Sequence, residues 1–233
     1  MISVIIPSYQ HASTIAPCLE SVLGQTYQPL EVIVVNDGST DGTEKELARF
    51  ADRITVIHQE NQGGNAARNN GFKASTGSLV IFCDADVIMR PDMLERLAQI
   101  LTEHPDAAYA YSAFRFGWKA FSSYAFSEER LRRMNYIHTT ALIRREAFPG
   151  FDVSIKRLQD WDLWLTMLER GAKGVYVAEE LFRTIDGHGR TGISQWRPSF
   201  WYRISWDLLG WRPASLRRYL EAKKIVQQKH RLL

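Results

Sequence analysis

Four short apolar runs, SVII (3–6), EVIVV (31–35), ITVIH (54–58) and LVIFC (79–83), constrain the fold of this chain more than any other feature. None alternates polar with apolar residues, so each reads as a strand buried on both faces. Between them, residues 12–24, 43–51 and 64–75 have helical character. A further helix is expected from Pro91 through PDMLERLAQILTEH, because proline is favoured in the first helical turn. Strands and helices alternating at this spacing predict an α/β fold with a Rossmann-like, mostly parallel sheet covered by helices.

Ligands of such sheets bind beyond the carboxyl ends of the strands. The polar sequence falls at those positions: PSYQ after the first run, NDGSTDG after the second, QENQGGNAARNNG after the third and DAD after the fourth. Four such turns converging on one edge predict a shared site. The remainder is less regular. Residues 109–136 mix aromatics and charges, which suits a loop-rich binding wall, and IHTTALIRREAF (137–148) reads as another strand. QDWDLWLTMLERG (159–171) reads as a helix stopped at Gly171.

With 233 residues, 45% hydrophobic and 24% charged, the chain can form one large α/β domain or two small ones. A net charge of +3 gives no reason to expect a nucleic-acid partner. Cys18 and Cys83 lie in apolar segments without metal-type spacing and read as reduced packing residues of a cytosolic protein. ISVII (2–6) lacks a charged leader region, and no apolar run approaches the roughly 18 residues that span a bilayer. The expectation is a cytoplasmic protein, with attachment to the inner face of the cell membrane left open.

Each polar turn has a chemical reading and a plainer one. Asp84 and Asp86, on one side of an extended segment, could share a cation, since Mg²⁺ is held by one or two carboxylates plus substrate phosphates. A bare D-x-D is more often a solvated loop. Asp37 could accept hydrogen bonds from a nucleobase or ribose, or NDGSTDG is simply a tight turn with Ser39 or Asp41 capping the next helix. Arg68 suits a diphosphate, or is an exposed arginine at a helix start. Its segment matches neither G-x-G-x-x-G nor G-x-x-x-x-G-K-[ST]. Asp160 could serve as a general base, or Asp160 and Asp162 are acids favoured by the helix dipole, with Trp161, Leu165 and Leu168 as an apolar face.

Taken in order, SVIIPSYQ, EVIVVNDGSTDGT, NQGGNAARNNG, LVIFCDADVIMRPDML and LQDWDLWLTMLERG resemble the family 2 glycosyltransferases of the GT-A fold, over residues 2 to about 185. The resemblance implies inverting transfer of a sugar from a nucleotide-diphosphate donor, a UDP-sugar by first guess, to a hydroxyl of a glycan or lipid-linked acceptor. Cell-surface polysaccharide or glycolipid synthesis would be the setting. It implies a GT-A domain over 1–190, with a nucleotide-sugar half (1–105) and an acceptor and catalytic-base half (106–190), before an extension over 191–233. Pro7, Tyr9 and Asp37 match nucleoside-pocket positions, Arg68 the basic residue near the phosphates, and Asp84 the acid near the ribose. Asp86 matches the ligand of Mn²⁺ or Mg²⁺, Asp160 the base, and Trp161 and Asp162 fall on the acceptor side.

The chain departs from the family pattern at Gln10, where asparagine is frequent, and at Gln159, which replaces a glutamate before the base. In FRTIDGHGRTGIS, Asp186 occupies the usual histidine position and His188 follows two residues later as a further metal candidate. Gln159 also leaves room for a rival, a non-catalytic nucleotide-sugar-binding partner subunit. A sugar-phosphate nucleotidyltransferase would show a glycine-rich N-terminal loop that IIPSYQHAS lacks.

The aromatics of 109–136 and 195–211 could stack on sugar rings, but aromatics more often fill cores. His138, in a strand-like segment, reads as structural. Residues 212–233 carry seven basic side chains against Glu221, a net +6. Beside tryptophan-rich sequence, that suits either an anionic membrane surface or a solvated terminal helix.

Overall fold

The structure, a computed structural model, describes residues 1–185 and 213–232. The first half alternates as the apolar runs require: β1 (Ile2–Ser8), α1 (Ile15–Leu23), β2 (Leu30–Asp37), α2 (Thr43–Leu47), β3 (Thr55–Gln59), α3 (Gly64–Ala74) and β4 (Leu79–Phe82). Then follow β5 (Val87–Met89), α4 (Met93–Glu103), β6 (Tyr109–Phe116), β7 (Lys119–Phe121) and α5 (Glu128–Arg133). The chain continues through β8 (Leu142–Arg144), α6 (Gln159–Glu169), β9 (Gly174–Thr184) and α7 (Ala214–Lys229).

One sheet runs β3-β2-β1-β4-β8-β6-β9-β5, with β7 paired to β6. The pairs among β1, β2, β3 and β4 are all parallel. Beyond β4 the sheet is mixed, because β8 enters antiparallel to both β4 and β6 while β9 lies parallel to β6. The parallel expectation therefore describes the N-terminal half, and the second half adds antiparallel strands.

β1 is central and buried along its whole length. Its alternation separates two cores: Val4 and Ile6 join the one covered by α1 and α4, and Ile5 joins the one containing Trp161 and Trp164 of α6. Pro7 fits because of register. The Ile5 carbonyl accepts from the Cys83 N–H at 2.9 Å, so odd residues of β1 face β4, and β4 ends opposite Ile5. The missing N–H of Pro7 thus falls where no strand needs it. On the other side of β1, α3 approaches so closely that a Cβ on Gly71 would meet Ile5 Cγ2 at 2.4 Å.

Three sequence expectations change. β3 is an edge strand, partly exposed rather than buried on both faces. Residues 109–116 form a long strand instead of a loop-rich wall, with Tyr109 and Tyr111 buried and Tyr109 stacked on Trp164 at 4.6 Å. These aromatics are core, and burial pushes both phenols far above their ordinary range. Within 137–148 only Leu142–Arg144 is strand, followed by a short 3₁₀ turn. Among the described residues no helix is long and apolar enough to cross a membrane.

Candidate active site

The turns after β1 and β2 are fastened to each other. Gln10, at a left-handed φ of 59°, accepts from the Thr40 N–H at 2.8 Å, and its own N–H donates to Ser39 Oγ at 3.0 Å. The Ala12 N–H donates to Asp41 Oδ2 at 3.0 Å, and the Thr43 hydroxyl to Asp41 Oδ1 at 2.6 Å. Burial raises the Asp41 carboxyl, but these donors outweigh it and hold it below the usual range. Ser39 and Asp41 therefore brace the β1 turn, as well as leading into α2.

Asp37 closes β2 and is buried. Its Oδ1 accepts from Gln59 Nε2 (2.7 Å) and the Gln62 N–H (2.8 Å), and its Oδ2 from the Gly63 N–H (2.9 Å). The acid matched to the nucleoside pocket thus fixes the loop that enters α3. Pro7 lies buried behind this edge, whereas Tyr9 is 44% exposed on it.

Arg68 is not an exposed arginine. It is buried, with Nη2 donating to Asp84 Oδ1 at 2.7 Å and Nη1 to Asn65 Oδ1 at 3.3 Å, and with its guanidinium 5.3 Å from the centre of the Phe151 ring. Burial alone would raise the Asp84 carboxyl. Arg68, with contributions from His138 and His11, instead holds it below the usual carboxylate range.

The segment after β4 is a turn rather than an extended strand, since the Val87 N–H bonds the Asp84 carbonyl at 3.0 Å. The same-side argument for residues two apart in a strand does not apply to Asp84 and Asp86. The turn is tied to the end of β9 by the Ile185 N–H, which donates to the Asp86 carbonyl at 2.7 Å. Beneath it Cys18 and Cys83 are free thiols with sulfurs 3.9 Å apart. Contact with Cys18 and burial push the Cys83 thiol up, which leaves it a protonated packing group.

Across the edge, Asp160 stands in the first turn of α6, just after Leu158 at a left-handed φ of 58°. Its Oδ2 accepts from Asn135 Nδ2 at 2.7 Å and its Oδ1 from the Trp161 N–H at 2.9 Å. His138 links the two halves. Its ring packs against Phe114 (4.9 Å) and Phe182 (5.1 Å), and its Nδ1 accepts from the Thr140 N–H at 3.1 Å, which leaves the proton on Nε2. Burial lowers its pKa, Asp84 and Asp160 both oppose that, and the net shift is downward. A neutral imidazole thus stands in the fields of the donor-side acid and the base candidate together.

Two residues expected on the acceptor side are buried. Trp161 is 1% exposed and donates Nε1–H to the Leu131 carbonyl at 2.7 Å. Asp162 is 3% exposed, lies 2.9 Å from His230 Nε2 and pairs with Lys229 at 2.7 Å. It anchors the C-terminal helix. His188, Asp186 and the aromatics of 195–211 lie outside the described residues. Sequence reasoning missed Asn135, which belongs to no motif, and took His138 for a purely structural residue.

The model of the family described as "Glycosyl transferase family 2" matches residues 3–152. Glycosyltransferase GlyG of Streptococcus pneumoniae serotype 4 is 39% identical over 107 residues, covering 44% of this chain and 36% of its own length. The matches to curated relatives span between 15% and 66% of the relative's own length. Among solved structures, S. aureus TarS 1-349 in complex with UDP-GlcNAc has a TM-score of 0.70 at 18% identity, over 97% of this chain and 70% of that one. The mannosyltransferase PcManGT from Pyrobaculum calidifontis, in complex with GDP-Man and Mn²⁺, has a TM-score of 0.67 at 20% identity, over 97% and 69%. At these identities the likeness establishes a shared fold, the GT-A architecture.

Proposed function

The chain belongs to glycosyl transferase family 2, and from that premise we propose that it transfers a sugar, with inversion, from a nucleotide-diphosphate donor to an acceptor hydroxyl. The observation that carries this reading is the ion pair, at 2.7 Å, of buried Arg68 with Asp84 just after β4, where the family pattern has its donor-side acid. Solved structures of the same fold hold UDP-GlcNAc or GDP-Man, which supports a nucleotide-sugar donor, with a UDP-sugar as first choice.

In this reading Tyr9 and the loop fixed by Asp37 receive the nucleoside. Arg68 acts mainly by holding Asp84, whose second oxygen is left for the ribose or a cation. Among the described residues no three His, Cys, Asp or Glu side chains cluster to hold a metal ion by themselves. Asp86 lies in the turn two residues after Asp84, and in this reading its carboxylate would hold a hard cation of the Mn²⁺ or Mg²⁺ type together with the donor diphosphate. When bound, such an ion offsets charge on the leaving diphosphate.

Asp160 takes the proton of the acceptor hydroxyl as that oxygen bonds the anomeric carbon from the face opposite the leaving diphosphate. The bond from the anomeric carbon to the diphosphate oxygen breaks, and its electron pair leaves with the nucleoside diphosphate. One displacement inverts the anomeric centre, and no covalent enzyme intermediate is needed.

We assign the setting to glycan or lipid-linked acceptors of polysaccharide or glycolipid synthesis at the inner face of the cell membrane. The support is the outward face of α7, where exposed Arg217, Arg218 and Lys224 flank exposed Leu220 and Ile225. Asp160→Asn tests the chemistry. Transfer should fall by roughly 100-fold or more, as expected for loss of a general base. Stabilisation by UDP with Mn²⁺, read as a shift in Tm, should persist. Full transfer by the variant would contradict the assignment.

A further inference from the structure

We propose that Asn135 is a positioning residue, which holds the Asp160 carboxylate in the orientation that receives the acceptor proton. This rests on the reading of Asp160 as the base. Asn135 Nδ2 donates to Asp160 Oδ2 at 2.7 Å while the Trp161 N–H holds Oδ1 at 2.9 Å. With each oxygen engaged by a different donor, the carboxylate plane cannot turn without breaking a hydrogen bond. Each oxygen still keeps a lone pair for an incoming hydroxyl. The sense of the amide follows from chemistry, because an ionised carboxylate only accepts and so must face the NH₂ end.

Two further observations separate this contact from incidental packing. Asn135 Oδ1 is buried with no hydrogen-bond partner among the described residues, so the amide serves Asp160 without satisfying its own carbonyl. The backbone on both sides of Asn135 is also fixed to the helix that carries Asp160. Trp161 Nε1–H donates to the Leu131 carbonyl at 2.7 Å, and Trp164 Nε1–H to the Ile137 carbonyl at 3.0 Å. Two indoles of α6 thus clamp the chain before and after Asn135, and donor and acceptor of the Asn135–Asp160 bond share one frame. Trp161 finds its role here, as part of the frame rather than as an acceptor platform.

The test uses the full chain, Mn²⁺, and whichever of a panel of UDP- and GDP-sugars the wild type turns over. Asn135→Ala should lower kcat by roughly ten-fold or more, since misplacing a reacting group costs up to about 100-fold. The donor KM should stay unchanged. In an Asp160→Asn background the same change should add no further loss, because Asn135 acts through Asp160. An unchanged kcat, or equal losses in both backgrounds, would overturn the proposal. A crystal structure of Asn135→Ala needs no donor: the Asp160 carboxylate should leave its present orientation, and an unmoved carboxylate would also overturn it. If the wild type turns over no nucleotide sugar, the functional reading fails, and the crystallographic result still decides the positioning role.

Discussion

Arg68 and Asp84 form one ion pair on the proposed donor side. A buried guanidinium held by one carboxylate is a coupled unit, so removing either partner leaves the other exposed to the cost of desolvation. Arg68→Gln should lower stability to urea by about 1–3 kcal/mol at pH 7, the usual penalty for a buried polar group left unsatisfied. The sign of the pH dependence follows from Asp84, whose carboxyl is depressed in the folded chain. Its contribution is present above the ordinary carboxylate range and fades as pH falls through the depressed value. The stability gap between wild type and Arg68→Gln should therefore be largest near neutrality and shrink in acid. A gap independent of pH would contradict the pairing. The positions of Asp84 and Asp86 after β4 and of Asp160 in the first turn of α6 were legible in sequence, because an apolar run and a helical period mark those ends. Asn135 was not, because a polar residue 25 positions from its partner leaves no periodic trace.

At the scale of elements, α7 buries Leu216, Ala222 and Val226 and is fastened at its C-terminal end by ionic contacts. Lys229 reaches Asp152 (2.8 Å) and Asp162 (2.7 Å), and His230 stands between Asp162 (2.9 Å) and Glu169 (2.9 Å). Burial opposes a charged His230, but both ring nitrogens face carboxylates, and its pKa is raised overall. Its stabilising effect is complete below the ordinary histidine value and is lost as pH rises through the elevated one. Lys229 and Ser154 hold the Asp152 carboxyl down at about 2, so its contribution is present above the usual carboxylate range and fades towards that value. Hydrogen exchange of residues 214–229 should accordingly be slowest in mildly acidic solution and quicken as pH is raised past neutrality, after correction for intrinsic exchange. His230→Phe should abolish that pH dependence, and an unaltered profile would show that the imidazole does not fasten the helix. In a helix two residues turn about 200°, so Asp160 and Asp162 point to opposite sides of α6, and Asp162 meets Lys229 of α7.

The whole molecule is a nine-stranded mixed sheet whose N-terminal half follows the alternation of apolar runs, turn by turn. That half was legible because parallel strands buried on both faces leave continuous apolar runs, and because their ends carry the polar residues. The second half was less so. Tyr109 and Tyr111 alternate with small residues in a strand whose partners, β8 and β9, lie far along the chain, and their aromatic side chains read equally well as a binding wall. In the proposed reading the two halves share one site, with Asp84 on the donor side and Asp160 as the base, and inverting transfer from a nucleotide sugar is the claim that reading makes. ¹H NMR of wild-type chain with Mn²⁺, a glycan acceptor panel and a panel of UDP- and GDP-sugars tests it most directly. The account predicts release of nucleoside diphosphate together with a product anomeric signal of the configuration opposite to the donor's. A product of retained configuration, or no release from any donor, would contradict it.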